Sequence, residues 1–257
     1  MSLEKYFNRS FEMIEFPYFV PKQELNYNLD YANKIETEKW IPNNWHQYFN
    51  MKGNGRFSTD VKRILSHGGL ILEICVGPGG GFMPYILQED YNVNIMISDL
   101  CPTVVREWKK LFDSMQNPPL NVEFAAFNVC DMPFIDNSID VISGCAAIGN
   151  IEGDKRKALG EIYRVLKPGG LFVMKDICIT NEFFNSMEPH LQKAFMEHWP
   201  DIFGDFQDVL EELGFNSIET VINGSWSNKD DDSNLADFTR SLGAELIFSG
   251  YTKYSIK

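Results

Sequence analysis

From Gly69 onward, apolar runs of strand length recur along the chain: LILEICV at 70–76, VNIMISD at 93–99, VEFAAFN at 122–128, IDVISGC at 139–145 and LFVMKDI at 171–177. Short, nearly continuous apolar runs of this kind predict strands buried on both faces. The stretches between them are long enough for helices, notably 102–115 and 154–166, and Lys167-Pro168-Gly169-Gly170 reads as the stop of the second. Further on come an insertion at 180–200, a helix near 206–213, a strand near 217–224, an acidic loop at 227–237 and a last strand near 246–256. Within that loop, Lys229-Asp230-Asp231-Asp232 reads as solvated surface. Alternating strand and helix predicts a doubly wound, mostly parallel sheet of seven strands. Its ligand crevice should lie beyond the carboxyl ends of the strands.

The N-terminal quarter breaks this pattern. Residues 1–57 hold thirteen Phe, Tyr and Trp, against twenty-two in the remaining 200, with Pro17, Pro21 and Pro42 and little clean periodicity. Short helices and irregular segments that pack on another body are expected. The chain therefore divides into an aromatic-rich cap, 1–54, and a main domain, 55–257, whose insertion at 180–200 helps form a pocket.

Composition narrows the function. Of 257 residues, 44% are apolar and 14% aromatic, as in a folded domain, and the formal charge of −13 disfavours a nucleic-acid backbone or an anionic membrane surface as partner. No run approaches the roughly 18 apolar residues of a membrane span, and the start MSLEKYFNRS lacks a secretion segment, so a cytoplasmic protein is expected. Five scattered cysteines without a CxxC pair argue for reduced thiols. The four histidines show no metal-ligand spacing, and no metal is expected.

The chemistry concentrates where the first strand runs into a glycine-rich turn, Leu72-Glu73-Ile74-Cys75-Val76-Gly77-Pro78-Gly79-Gly80-Gly81. Glycines there let a ligand approach the backbone and tolerate the positive φ of a tight turn, a demand expected at Gly79. Asp99, twenty-two residues past Gly77, ends the second strand at a spacing suited to a ribose diol. Asn128 ends the third strand, and Arg164-Val165-Leu166-Lys167-Pro168-Gly169-Gly170-Leu171 leads into the fifth. In these four linked features, over about residues 55–177, the chain resembles the class I S-adenosylmethionine-dependent methyltransferases of the small-molecule, quinone-biosynthesis type.

The resemblance implies a Rossmann-like fold, S-adenosyl-L-methionine as cofactor with S-adenosyl-L-homocysteine as product, and a small, partly apolar methyl acceptor. It implies cofactor contacts from Glu73, Gly77, Gly79, Asp99, Leu100, Asn128, Val129 and Cys145. Asp99 would hold the ribose, and Asn128 with Val129 would read the adenine. Two departures stand out: Cys75 replaces the usual first glycine, and Gly149-Asn150 follows the fourth strand where related enzymes often carry a larger acid and a histidine. The second leaves the base open, with His46, Asn150 and His198 as candidates, and keeps alive a non-catalytic sensor or scaffold that merely binds the cofactor. A dinucleotide fingerprint would need a glycine at 82, which is Phe82. Cys75, Cys101, Cys130, Cys145 and Cys178 all fall at or just past strand ends. Small buried packing residues and a thiol-bound soft metalloid or redox switch are both open readings. Tyr18, Trp45, His46, Phe183 and His198 are the expected lining of an acceptor pocket closed by the cap and the insertion.

Overall fold

The computed structural model describes residues 3–10, 12–13, 16–19, 37–50, 57–151, 154–179, 181–198, 206–227, 229, 240–241 and 247–257. Five strands follow the predicted apolar runs: β3 (Ile71–Glu73), β4 (Ile95–Asp99), β5 (Val122–Ala126), β6 (Ile139–Cys145) and β7 (Leu166–Cys178), with β8 (Asn216–Ser227) and β9 (Ile247–Ile256) completing the C-terminal part. Two short strands precede them, β1 (Glu12–Met13) and β2 (Pro17–Tyr18). The seven expected strands are present, and the two short ones join them in one sheet of nine among the described residues, in the order β1-β2-β5-β4-β3-β6-β7-β9-β8. The extra pair arises because β5 would otherwise end the sheet with unpaired backbone groups, and Tyr18 of β2 pairs in parallel with Ala126 to cover them. Strands β3 to β7 are mutually parallel, whereas β9 runs antiparallel to both β7 and β8, so the sheet is mixed.

The helices are α1 (Thr37–Asn50), α2 (Ser58–His67), α3 (Met83–Glu89), α4 (Pro102–Asp113), α5 (Lys155–Val165), α6 (Asn181–Ser186), α7 (Pro189–His198) and α8 (Gln207–Leu213). Period-2 alternation sends Leu72, Ile142, Phe172 and Met174 to one face of the sheet, where Leu159 and Ile162 of α5 and Leu210 of α8 cover them. Ile71, Ile95, Ile97, Val141 and Val173 point to the other face, under α2, α3 and α4 and under Ile41 of α1, which is fully buried. The cap helix thus contributes to the main core. Among the described residues no helix is long and apolar enough to cross a membrane.

The helix α5 ends at Val165, directly before Lys167 to Gly170, as expected of a stop there. The same four residues also form a bulge inside β7: Ile139 pairs with Leu166 and Val141 with Leu171, so four residues face Asp140 alone. Asp140 explains the bulge. Its Oδ1 accepts from Lys167 Nζ at 2.7 Å and its Oδ2 from the Leu70 main-chain N–H at 2.9 Å. His67 ends α2, its Nε2 2.9 Å from the Gly169 carbonyl oxygen. In the turn after β6, exposed Ala146 has a φ of 52°, a left-handed conformation that costs a non-glycine residue about 1 kcal/mol. Ala146→Gly should raise stability by about 0.5 to 1 kcal/mol, the relieved strain exceeding the added unfolded-chain entropy, read as a higher urea midpoint at unchanged slope.

Candidate functional site

The site is built where β3, β4, β5 and β6 end side by side. Strand β3 ends in Glu73, whose carboxylate is fully buried beneath the glycine turn. Its Oε1 accepts from the Phe82 main-chain N–H at 2.7 Å, and its Oε2 accepts from the Ser143 hydroxyl of β6. Burial pushes this carboxyl up to about 7, against the lowering effect of those two hydrogen bonds. Both oxygens serve the protein, so Glu73 acts as a clamp that shapes the turn from below.

The turn's glycines divide into two kinds. Gly80 and Gly81 have φ of 80° and 56° and press on the protein: a Cβ on Gly80 would lie 2.9 Å from the Trp108 ring, and one on Gly81 2.2 Å from Glu73 Oε1. Gly77 and Gly79 face the other way. A Cβ on Gly79 would meet nothing within 4 Å, and one on Gly77 only the Gly79 nitrogen at 4.0 Å. The positive φ expected of Gly79 is not found; Gly77 has it instead, at 51°. Gly79 needs no left-handed backbone because the reversal is completed by the two glycines after it. Cys75, at the position where related chains carry glycine, is itself left-handed, with φ of 52°. The departure changes the side chain and keeps the backbone turn.

Asp99 ties the turn to β4. Its Oδ2 accepts from the Gly77 N–H and its Oδ1 from the Cys101 N–H, each at 2.9 Å. Burial raises its carboxyl above the ordinary carboxylate range, opposed by hydrogen bonds from the main chain of Cys101, Gly77 and Leu100. Leu100 is half-buried beside it. On β5's side, Asn128 Oδ1 accepts from the Cys130 N–H at 2.9 Å and caps the turn Val129–Asp131, with Val129 buried. Cys145 ends β6 half-buried, opposite Lys175. The predicted cofactor residues are thus gathered along one line of strand ends.

Two residues that hold the turn went unread in the sequence. Trp108 of α4, fully buried, donates from Nε1 to the Gly77 carbonyl at 2.8 Å, and Asn44 of α1 donates from Nδ2 to the Pro78 carbonyl at 2.9 Å. The spacing Val104, Val105, Trp108, Phe112 marks the buried face of α4 and would have placed Trp108 inward, though not on Gly77.

The acceptor candidates are spread more widely. Trp45 stacks on Phe49 with centroids 4.4 Å apart and meets Trp108 and Phe112 edge-on at 6.4 and 5.1 Å, which makes it a wedge between α1 and α4. His46 and His190 are exposed on α1 and α7. Asn150 is exposed in the turn after β6, its Nδ2 donating to the Ala146 carbonyl at 2.7 Å. Tyr18, Phe183 and His198 lie on β2, α6 and α7, but their side chains fall outside the described residues, as do Thr180, 199–205 and most of the acidic loop. Burial raises Cys75 well above the ordinary thiol range and raises Cys101 too, which disfavours reactive thiolates there. Among the described residues no group of three or more His, Cys, Asp or Glu could hold a metal ion.

Residues 74–174 match the family model described as a methyltransferase domain. An arsenite methyltransferase of Halobacterium salinarum is 25% identical over 67% of this chain and 43% of its own length. A ubiquinone/menaquinone biosynthesis C-methyltransferase of Rickettsia typhi is 37% identical over 35% of this chain and 36% of its own, and its counterpart in Klebsiella pneumoniae 29% identical over 54% and 52%. The chain thus spans about half or less of the length of these curated relatives. Among solved structures, phosphoethanolamine N-methyltransferase 2 of Haemonchus contortus with S-adenosylhomocysteine shares the fold at a TM-score of 0.55 and 17% identity, covering 78% of this chain and 52% of that one. The YcgJ protein of Bacillus subtilis does so at 0.53 and 19%, covering 78% and 97%. Strand order and glycine turn agree with these matches: residues 74–174 are similar to a methyltransferase domain, and the chain shares the fold of solved methyltransferases.

Proposed function

We propose that the protein transfers the methyl group of S-adenosylmethionine to a small, partly apolar acceptor. The observation that carries this reading is the open space over Gly77 and Gly79, flanked by Asp99 and by the Asn128–Val129 strand end, while the neighbouring Gly80 and Gly81 are packed against protein. That space is a cradle of the right chemistry: glycine backbone for the close approach, an acid at the adjacent strand end for the ribose hydroxyls, and an amide and a main-chain N–H for the adenine. The cofactor supplies an electrophilic methyl group on a sulfonium. The chain's own work is to align donor and acceptor in line and to exclude water, which needs no dedicated base when the acceptor atom is a neutral amine or a thiolate. The small-molecule acceptors named for the related methyltransferases support the substrate class. The cap, 1–54, and the insertion at 180–200 are the parts we assign to closing the acceptor side.

Asp99→Ala tests the reading. Calorimetry should show S-adenosylhomocysteine affinity reduced about ten- to a hundredfold, since the variant loses the ribose acceptor and frees the Gly77 N–H it holds. Unchanged affinity would remove Asp99 from the site. Wild-type protein that binds the cofactor yet releases no homocysteine product with any acceptor would instead be a sensor.

A further inference from the structure

Gly149, in the turn after β6, has an acid from the next strand packed against it. A Cβ built on Gly149 would lie 2.7 Å from Asp176 Oδ1, 3.0 Å from Oδ2 and 3.1 Å from Cγ. The carboxylate of Asp176 therefore occupies the volume into which a side chain at 149 would grow, reaching it from the next strand. It is held there: Oδ2 accepts from the Gly149 N–H at 2.7 Å, Oδ1 from the Ile177 N–H at 3.0 Å, and the residue is 7% exposed. Asp176 lies one residue beyond Lys175, which pairs with Cys145 at the carboxyl end of β6, so it opens onto the line of strand ends that forms the crevice.

Resting on the methyl-transfer reading above, we infer that Asp176 of β7 is the acid of the transfer centre and that its charge faces the sulfonium of the donor. The sheet order supports the placement, because β4 with Asp99 and β7 with Asp176 flank the pair β3 and β6, whose ends carry the glycine turn and the 146–150 turn. Cys75, at the head of the glycine turn, lies within electrostatic reach of both carboxylates. The titratable groups facing Asp176, among the described residues, are Lys155 of α5, which favours its ionised form, and the uncharged thiol of Cys75 beyond the end of β3. Burial raises the Asp176 carboxyl above the ordinary range, which sets the test on the alkaline side of neutrality.

A carboxylate at this point makes the protein a specificity device between substrate and product. The donor carries a positive sulfonium, and the product is a neutral thioether of nearly the same shape. A facing negative charge holds the first and lets go of the second. A role confined to folding the 146–150 turn would move both affinities together. The experiment is calorimetry of wild type, Asp176→Asn and Asp176→Glu with S-adenosylmethionine and with S-adenosylhomocysteine at about pH 8. Asp176→Asn keeps the shape and an acceptor for the Gly149 N–H, and it should lower the preference for the sulfonium ligand about tenfold, leaving the thioether's affinity within about threefold. Asp176→Glu should retain the preference. Gly149→Ala, which pushes a methyl into the carboxylate, should shift the preference in the same direction as Asp176→Asn, and it carries the test if the Asn variant fails to fold. Equal changes for the two ligands, or none, would overturn the inference while leaving the cofactor reading intact. Wild-type protein that binds neither ligand would overturn both.

Discussion

Gly81→Ala is expected to lower stability by about 4 kcal/mol, roughly 10 °C in melting temperature, and to erase binding of S-adenosylhomocysteine. The new methyl would stand 2.2 Å from Glu73 Oε1, a rigidly held atom that already accepts the Phe82 N–H. It cannot be relieved by rotating a flexible side chain, because the Ser143 hydroxyl pins the other oxygen. The backbone adds its own cost, since alanine at φ of 56° loses about 1 kcal/mol. Either the turn lifts off Glu73, breaking the bond to Phe82, or the carboxylate moves and leaves its buried partners unsatisfied. Both routes reshape the cradle at Gly77 and Gly79. Thermal unfolding with and without the ligand checks the outcome; a melting temperature within about 2 °C of wild type would mean that the turn adapts freely.

Glu73→Gln should have the opposite sign. The carboxyl sits near 4.5 in the unfolded chain and about 7 in the folded one, so between these values the native state holds a proton that the unfolded state releases. Rising pH therefore favours unfolding, and wild-type protein loses about 3 kcal/mol from this group by pH 8 relative to pH 4. The amide carries no charge to desolvate, can still accept from Phe82 and can reach Ser143. It should match wild type in acid and exceed it by about 3 kcal/mol at pH 8. Urea titrations of both proteins across that range isolate the difference, since the other carboxylates titrate alike in the two. A constant offset between the curves would show that Glu73 stays ionised in the fold.

Much of the architecture was legible because it is written locally. Each apolar run became a strand within a few residues, since a buried strand needs no information beyond its own side chains. The glycine turn, Asp99 and Asn128 were legible because a motif with fixed spacing makes one strand end recognisable from the next. What escaped depends on contacts between distant segments. Lys167 to Gly170 follow the end of α5 as a helix stop should, but their bulge within β7 depends on Asp140, on the neighbouring strand, which draws Lys167 and Leu70 onto one carboxylate. The two N-terminal strands depend on the edge that β5 offers to β2, where Tyr18 lies beside Ala126. Asp176 interrupts an apolar run, a visible signal. Its placement depends on Gly149, twenty-seven residues earlier, whose N–H it accepts once β6 pairs with β7.

The joint between α1 and the glycine turn has an evolutionary consequence. Asn44 holds the carbonyl of Pro78, and Trp45 packs on the indole of Trp108 that holds the carbonyl of Gly77. The N-terminal segment is therefore not a portable module that could be exchanged while the turn stays fixed. A lineage that alters it must at the same time re-form the grip on two consecutive carbonyls of the turn, so the acceptor selectivity we propose for the cap would be inherited together with the shape of that turn.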